Sequence, residues 1–187
     1  YWRDWSSDVC SSDLDSHAPR ASKLTVSDVF AHSSNVGTSR LAYQAYARDP
    51  QKFIDKLHYF GLGQKLELQI EGEGKPLVKN STDKDWSALS LPWISIGYES
   101  KLTPLQILTF YNAIANNGRM VRPKFVKEIR HSGQLVEEFP TEIIRDSIAS
   151  QVALSKARAM MEGVVEHGTA SVLKRSEEHT SELQSRQ

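Results

Sequence analysis

A full set of helix-start signals at Thr103-Pro104-Leu105-Gln106 fixes where one helix of this chain begins. Threonine is favoured as an N-cap, proline as the first helical residue, and a glutamine three positions after the cap can bond back to it. Asn117-Gly118 supplies the residues that end a helix. The sequence therefore predicts a helix from residue 104 to about residue 116, whose core-facing side chains are Leu105, Leu108, Tyr111 and Ile114.

Apolar spacing and capping residues predict four further helices. Three precede that helix and one follows it, over about residues 26–33, 36–48, 50–60 and 149–166. Either Thr25 or Ser27 is suited to cap the first of them, and Asp49-Pro50 is suited to begin the third. Gly61-Leu62-Gly63 ends the third because glycine adopts the left-handed cap conformation at little cost.

Two regions carry the pattern of strands. Leu66, Leu68 and Ile70 alternate with polar residues, which predicts a short, half-exposed strand. Residues 120–131 are also strand-like, and Gly133 is placed to turn the chain so that residues 135–139 pair back as a hairpin.

Both ends of the chain differ in character from the residues between them. Residues 4–14 resemble the translation of a common sequencing adaptor, and residues 175–185 resemble the translation of its opposite strand. We therefore expect residues 1–14 and 175–187 to be adaptor-derived artefacts that flank a partial domain at residues 15–174. The alternative is a pair of serine-rich polar tails.

Without these two ends, the composition of residues 15–174 excludes several kinds of functional site. The single cysteine, Cys10, lies in the first end, so residues 15–174 hold no thiol nucleophile, disulfide or Cys-ligated metal. The whole chain has 23 basic and 23 acidic residues, of which residues 15–174 hold 20 basic and 17 acidic ones. This mild excess of positive charge does not indicate nucleic-acid binding. The histidines are too scattered to predict a metal site, and no apolar run is long enough to span a membrane.

The candidate site is Ser33-Ser34-Asn35, which lies between the first two predicted helices. A hydroxyl both donates and accepts hydrogen bonds, and so does a carboxamide. Ser33 and Asn35 together therefore suit a site that passes a proton and holds a peptide amide. The alternative is a simple helix N-cap, at which serine and asparagine are both favoured.

Several short motifs together resemble the transpeptidase domain of class B penicillin-binding proteins, and the division type FtsI most closely. They occur in the order found in that family and extend over nearly all of residues 15–174. They are Ser33-Ser34-Asn35-Val36-Gly37, Gly61-Leu62-Gly63, Asp85-Trp86-Ser87, Gly97-Tyr98-Glu99, Thr103-Pro104-Leu105-Gln106, Tyr111-Asn112-Ala113-Ile114-Ala115-Asn116-Asn117-Gly118 and Val164-Val165-Glu166-His167-Gly168-Thr169-Ala170.

The resemblance implies an α+β fold, related to the serine β-lactamases, in which an antiparallel sheet packs between helices. This chain would hold mostly the helical subdomain and a β-hairpin region. The family uses Ser-x-x-Lys, Ser-x-Asn and Lys-Thr-Gly to cross-link peptidoglycan stem peptides through an acyl-serine intermediate. Ser33 and Asn35 would be the catalytic and substrate-binding residues of the second element, and no cofactor is implied.

The other two family elements are missing from the expected places. No Ser-x-x-Lys precedes Ser33 within residues 15–174, and no Lys-Thr-Gly follows Gly168-Thr169-Ala170. We therefore expect the chain to be an inactive internal fragment of a longer parent protein. We also expect it to fold poorly alone, because helices without their sheet leave apolar faces exposed.

The resemblance also implies partners and a location for the parent protein. The partners would be stem peptides ending in D-Ala-D-Ala, β-lactams and other division proteins, with no nucleic acid. The location would be the periplasmic face of the bacterial inner membrane, with the membrane anchor outside this chain. Two alternatives stay open: a β-lactamase or β-lactam-sensor relative, and a noncatalytic binding module.

Overall fold

The computed structural model describes residues 24–173, which form short helices and pairs of short strands. The helices, numbered α1 to α6, are Val26–Ala31, Asn35–Tyr46, Gln51–Tyr59, Ser90–Ser95, Pro104–Ala115 and Gln151–Glu166. The strands, numbered β1 to β6, are Leu77–Val78, Ser100–Lys101, Met120–Val121, Glu128–His131, Gln134–Glu138 and Ile143–Arg145. The predicted terminal segments 1–14 and 175–187 lie outside the described residues.

The strands pair antiparallel as β1 with β2, β3 with β6, and β4 with β5. The chain divides into two compact units. Within the described residues, the first unit contains residues 24–48, 87–98 and 156–173, and the second contains residues 49–86 and 99–155. The candidate site lies in the first unit.

In the first unit, α1 and α2 approach each other at a glycine. A Cβ atom on Gly37 would lie 2.6 and 2.7 Å from the two γ-carbons of Val29, closer than real contacts allow. Helix α2 also packs against α4, and the apolar side chains buried around them include Val29, Ala31, Ala42, Leu91 and Ile94. Glycine at position 37 is therefore a packing requirement.

Of the two candidate caps of α1, Thr25 is the N-cap and Ser27 lies inside the helix. The Thr25 hydroxyl accepts a hydrogen bond from the Asp28 backbone N–H, and the Asp28 carboxylate accepts one from the Thr25 backbone N–H. This reciprocal pair is a capping box, which satisfies two backbone donors that the helix leaves open. Hydrogen bonds from the side chain and backbone of Thr25 hold the pKa of Asp28 below its ordinary value, so the carboxylate stays ionised near neutral pH.

The second unit confirms the helix start predicted at Thr103. The Thr103 hydroxyl accepts from the Gln106 N–H at 3.2 Å, and the Gln106 side chain accepts from the Thr103 N–H at 2.8 Å. Pro104 is the first residue of α5, and the helix ends at Ala115. The amide of Gln106 also donates to the carbonyl of Gln64, so one buried side chain joins the helix start to the loop after α3.

The predicted buried face of α5 is wrong for two of its four residues. Leu108 and Tyr111 are 62% and 42% exposed, whereas Ile114 is buried as expected and Leu105 is half-buried. The side chains that are buried on α5 are Gln106, Thr109, Ala113 and Ile114. Polar residues can occupy this face because Gln106 bonds to Gln64 and the Thr109 hydroxyl donates to the Leu105 carbonyl.

The prediction of a strand over Leu66–Ile70 is also wrong, because side chains, and not a neighbouring strand, bond to the backbone of this segment. The Glu73 carboxylate accepts hydrogen bonds from the Leu66 and Leu68 N–H groups, and the Arg122 guanidinium donates to the Leu66 carbonyl. Glu67 has φ +54°, a left-handed conformation that interrupts an extended segment. Alternating apolar residues therefore mark a loop held by charged side chains.

The hairpin predicted around Gly133 is confirmed as β4 and β5. His131 pairs with Gln134, which leaves Ser132 and Gly133 as a two-residue turn. Their φ values are +49° and +82°, as a type I′ turn requires. Glycine suits position 133 because a residue with a Cβ atom is strained at φ +82°.

A buried lysine is held by two carboxylates in the second unit. The Nζ atom of Lys79 lies 3.2 Å from Asp85 and 3.1 Å from Glu99. Burial lowers the pKa of Lys79, but hydrogen bonds and charges from Glu99 and Asp85 outweigh it and raise the pKa above its ordinary value. The ion pairs therefore stabilise the unit at neutral pH, and this contribution is lost as the pH rises through the raised pKa.

We expect the isolated chain to self-associate, because large apolar side chains stay exposed in both units. They include Phe30, Leu41 and Tyr43 in the first unit and Leu108, Tyr111 and Val136 in the second. Size-exclusion chromatography with light scattering should show oligomers or aggregates. Leu108→Lys should raise the monomeric fraction, whereas Ile114→Lys at a buried position of the same helix should not. A monomer that unfolds cooperatively on heating would contradict this prediction.

Candidate active site

The turn between α1 and α2 places Ser33 in an unusual backbone conformation. The Ser34 N–H bonds to the Val29 carbonyl at 3.0 Å and the Ser33 N–H bonds to the Phe30 carbonyl at 3.1 Å. These two bonds form a Schellman motif, the common helix ending in which the residue after the cap is left-handed and usually glycine. Here that residue is Ser33, with φ +51°.

Ser34 begins the next helix directly after this turn. Its hydroxyl accepts a hydrogen bond from the Gly37 N–H at 3.0 Å, so Ser34 is the N-cap of α2. Its side chain is buried, whereas Ser33 and Asn35 on either side are exposed. The simple N-cap interpretation therefore describes Ser34 and leaves the Ser33 hydroxyl and the Asn35 carboxamide open to solvent.

A second segment of the first unit reaches the same turn from the end of α6. The Thr169 backbone N–H donates to the Ala31 carbonyl at 3.0 Å, and the Thr169 and Ser33 hydroxyl oxygens are 3.4 Å apart. Sequence reasoning placed Thr169 in a family motif but gave it no role. The only available signal was the Gly-Thr pair just beyond a helix end, which does not show that it lies near a residue 136 positions away.

Gly168 makes this approach possible. A Cβ atom at position 168 would lie 2.2 Å from the Ala31 carbonyl oxygen and 2.8 Å from the backbone of Val164. Both obstacles are backbone atoms, which cannot move aside as a flexible side chain can. Glycine is therefore required where the end of α6 passes the end of α1.

Two histidines of the first unit interact electrostatically with Asp28. After the hydrogen bonds from Thr25, the charges of His32 and His167 also lower the pKa of Asp28. Among residues 24–173, no group of three or more His, Cys, Asp or Glu side chains is placed to bind a metal ion. The turn itself presents the hydroxyls of Ser33 and Thr169 and the carboxamide of Asn35, which can donate and accept hydrogen bonds.

The family model described as the penicillin binding protein transpeptidase domain matches residues 3–181. The chain belongs to this family. The resemblance to class B transpeptidases of the FtsI type is thereby confirmed, as is the α+β fold class of a partial transpeptidase domain. Ser33 and Asn35 as site residues stay a prediction.

Two related proteins, PbpB and FtsI, support the family assignment. Penicillin-binding protein PbpB of Mycolicibacterium smegmatis is 34% identical over 149 residues, which are 79% of this chain and 22% of that protein. Peptidoglycan D,D-transpeptidase FtsI of Escherichia coli K12 is 32% identical over 126 residues, which are 67% of this chain and 20% of that protein. The chain therefore spans about a fifth of the length of these curated relatives.

Solved structures show the same likeness. Penicillin binding protein 3 of Mycobacterium tuberculosis, crystallised with aztreonam, matches with a TM-score of 0.65 and 32% identity. The match covers 78% of this chain and 31% of that one. Every helix among residues 24–173 is too short or too polar to span a lipid bilayer.

We expect Gly168→Ala to destabilise the full-length protein that carries this segment. The added methyl group must displace the Ala31 or Val164 backbone, at a cost of roughly 2 kcal/mol or more. The matched control is Gly163→Ala in α6, where the nearest atom is the flexible imidazole of His167 at 3.2 Å. Alanine there should be neutral or stabilise the helix by up to about 1 kcal/mol. Thermal unfolding of both variants checks the prediction, and equal midpoints would contradict it.

Proposed function

We propose that this chain is part of a peptidoglycan D,D-transpeptidase of the FtsI type. The whole enzyme would bind penicillin and cross-link stem peptides through an acyl-serine intermediate. In that reaction the Ser33 hydroxyl passes a proton between the active-site lysine and the leaving nitrogen, and the Asn35 carboxamide holds the substrate carbonyl. The relatives PbpB and FtsI match most of this chain, and their names support the proposal.

The observation that carries the proposal is the left-handed backbone of Ser33. A serine in this region is disfavoured by about 1–2 kcal/mol, and glycine would relieve the cost. The turn nonetheless keeps a side chain there, and its hydroxyl is exposed. Strain of this kind also occurs in structural turns, as at Glu67 and Ser132, but at Ser33 it coincides with the Ser-x-Asn motif of the family, and strained residues cluster at functional sites.

The nucleophile and the third family element would lie outside this chain. Two Ser-x-x-Lys spacings do occur after Ser33, at Ser81–Lys84 and Ser171–Lys174. The first lies in a turn of the second unit, where the Ser81 hydroxyl donates to the Gln51 side chain at 2.6 Å. Lys174 lies outside the described residues. Both spacings come after Ser33 in the chain, whereas the family order places the nucleophile before it.

The parent protein would act on stem peptides that end in D-Ala-D-Ala and would bind β-lactams. We place it at the periplasmic face of the inner membrane, anchored by a segment outside this chain and working with other division proteins. We also propose that residues 1–14 and 175–187 derive from sequencing adaptors. Sequencing the flanking genomic DNA tests these points, because the gene should encode Ser-x-x-Lys before Ser33 and Lys-Thr-Gly after Ala170.

We predict that the chain as given forms no covalent adduct with a fluorescent penicillin, since it lacks the nucleophilic serine. The measurement is in-gel fluorescence after denaturation, with the complete parent protein as the positive control. The parent should be labelled, and unlabelled penicillin should compete. A fluorescent band from this chain alone that survives denaturation would contradict the prediction.

In the parent protein, Ser33→Gly should remove the hydroxyl without straining the turn. We expect the second-order rate constant of acylation by a fluorescent penicillin to fall by roughly 100-fold or more, with an unchanged or raised melting temperature. Asn35→Ala should lower the same rate constant.

The matched control for these variants is Ser34→Ala, which removes the N-cap. It should cost about 1 kcal/mol of stability and leave acylation largely intact at temperatures where the protein is folded. Wild-type acylation rates for both Ser33→Gly and Asn35→Ala would refute the proposed roles.

A further inference from the structure

The hydroxyls of Ser33 and Thr169 are brought together by a tertiary contact with its own backbone anchor. The Thr169 N–H donates to the carbonyl of Ala31, a buried residue at the end of α1. The Gly168 N–H and the Ala170 N–H both bond to the Val164 carbonyl, at 3.1 and 3.2 Å. These bonds fix the backbone on both sides of Thr169 and place its side chain beside the left-handed turn.

We propose that Thr169 is a positioning residue that orients the Ser33 hydroxyl for proton transfer, an inference that rests on the role proposed for Ser33. A serine hydroxyl has one hydrogen to donate and two positions that accept. When Thr169 donates to the Ser33 oxygen, it occupies one accepting position. The Ser33 hydrogen is then directed away from Thr169, and the second accepting position stays open for a proton donor.

The residue type at position 169 fits this role. Threonine is branched at Cβ, which restricts rotation of its side chain and so limits the directions its hydroxyl can take. The 3.4 Å between the two oxygens is longer than the 2.7–2.8 Å typical of a well-formed O–H···O bond. Catalytic hydrogen bonds are often long without substrate and shorten when it binds. A contact of this length can shorten to a full hydrogen bond through a small rotation of either hydroxyl.

The test compares Thr169→Val and Thr169→Ser in the complete parent protein. Valine keeps the shape and removes the hydroxyl, whereas serine keeps the hydroxyl. We expect Thr169→Val to lower the acylation rate constant for a fluorescent penicillin by roughly tenfold, the loss of about one net hydrogen bond. Thr169→Ser should stay within about threefold of wild type on the same scale.

The control is Ser171→Ala, which removes an exposed hydroxyl two residues further along the same segment. It should acylate as wild type does. The melting temperature of each variant is measured alongside, so that a loss of folding is recognised. Wild-type acylation by Thr169→Val, or an equal loss in Thr169→Ser, would overturn the inference.

A double-mutant comparison separates this inference from the proposed function. If Thr169 acts through Ser33, adding Thr169→Val to Ser33→Gly should cause no further loss of acylation. An additional tenfold loss in the double variant would show a merely structural role and overturn the inference. If Ser33→Gly alone acylates as wild type does, the proposed role of Ser33 fails. If Ser33→Gly is severely impaired and Thr169→Val is not, only the role of Thr169 fails.

Discussion

The geometry of the first unit depends on ending one helix and starting the next within three residues. The Schellman bonds of Ser33 and Ser34 close α1, and the Ser34 hydroxyl opens α2 by accepting from Gly37. The same Gly37 lets Val29 of α1 pack directly on α2. Because Ser34 provides the cap and is buried, its two neighbours are free to present a hydroxyl and a carboxamide to solvent.

In the second unit, individual polar side chains connect segments and satisfy backbone groups, a role that sheets and apolar contacts have in many folds. Gln106 completes the capping box of α5 and also holds the loop after α3. Glu73 accepts from two backbone N–H groups that would otherwise need a strand partner. Arg122 pairs with Glu142 at 2.7 Å and also donates to the Leu66 carbonyl. The strands of this unit are short, so these side chains satisfy much of the loop backbone.

The features that could be predicted from the sequence are those decided by a few neighbouring residues. The Thr103 capping box, the Thr25 cap and the turn at Gly133 follow from local backbone chemistry, and all three are present. The buried face of α5 and the strand at Leu66–Ile70 could not be predicted in this way. Each depends in part on a hydrogen bond to a distant residue, Gln64 for the helix and Arg122 for the loop.

The candidate site likewise has some features that the sequence predicts and others that depend on the tertiary structure. The sequence by itself determined that Ser33 and Asn35 lie where one helix ends and another begins, and its ordered motifs identified the family. Only the tertiary structure decided that Ser34 is the cap, that Ser33 is left-handed, and that Thr169 lies beside it. The reason is physical: caps and turns are set by bonds between near neighbours, whereas Thr169 meets Ser33 because Gly168 lets two distant backbones come within hydrogen-bond distance.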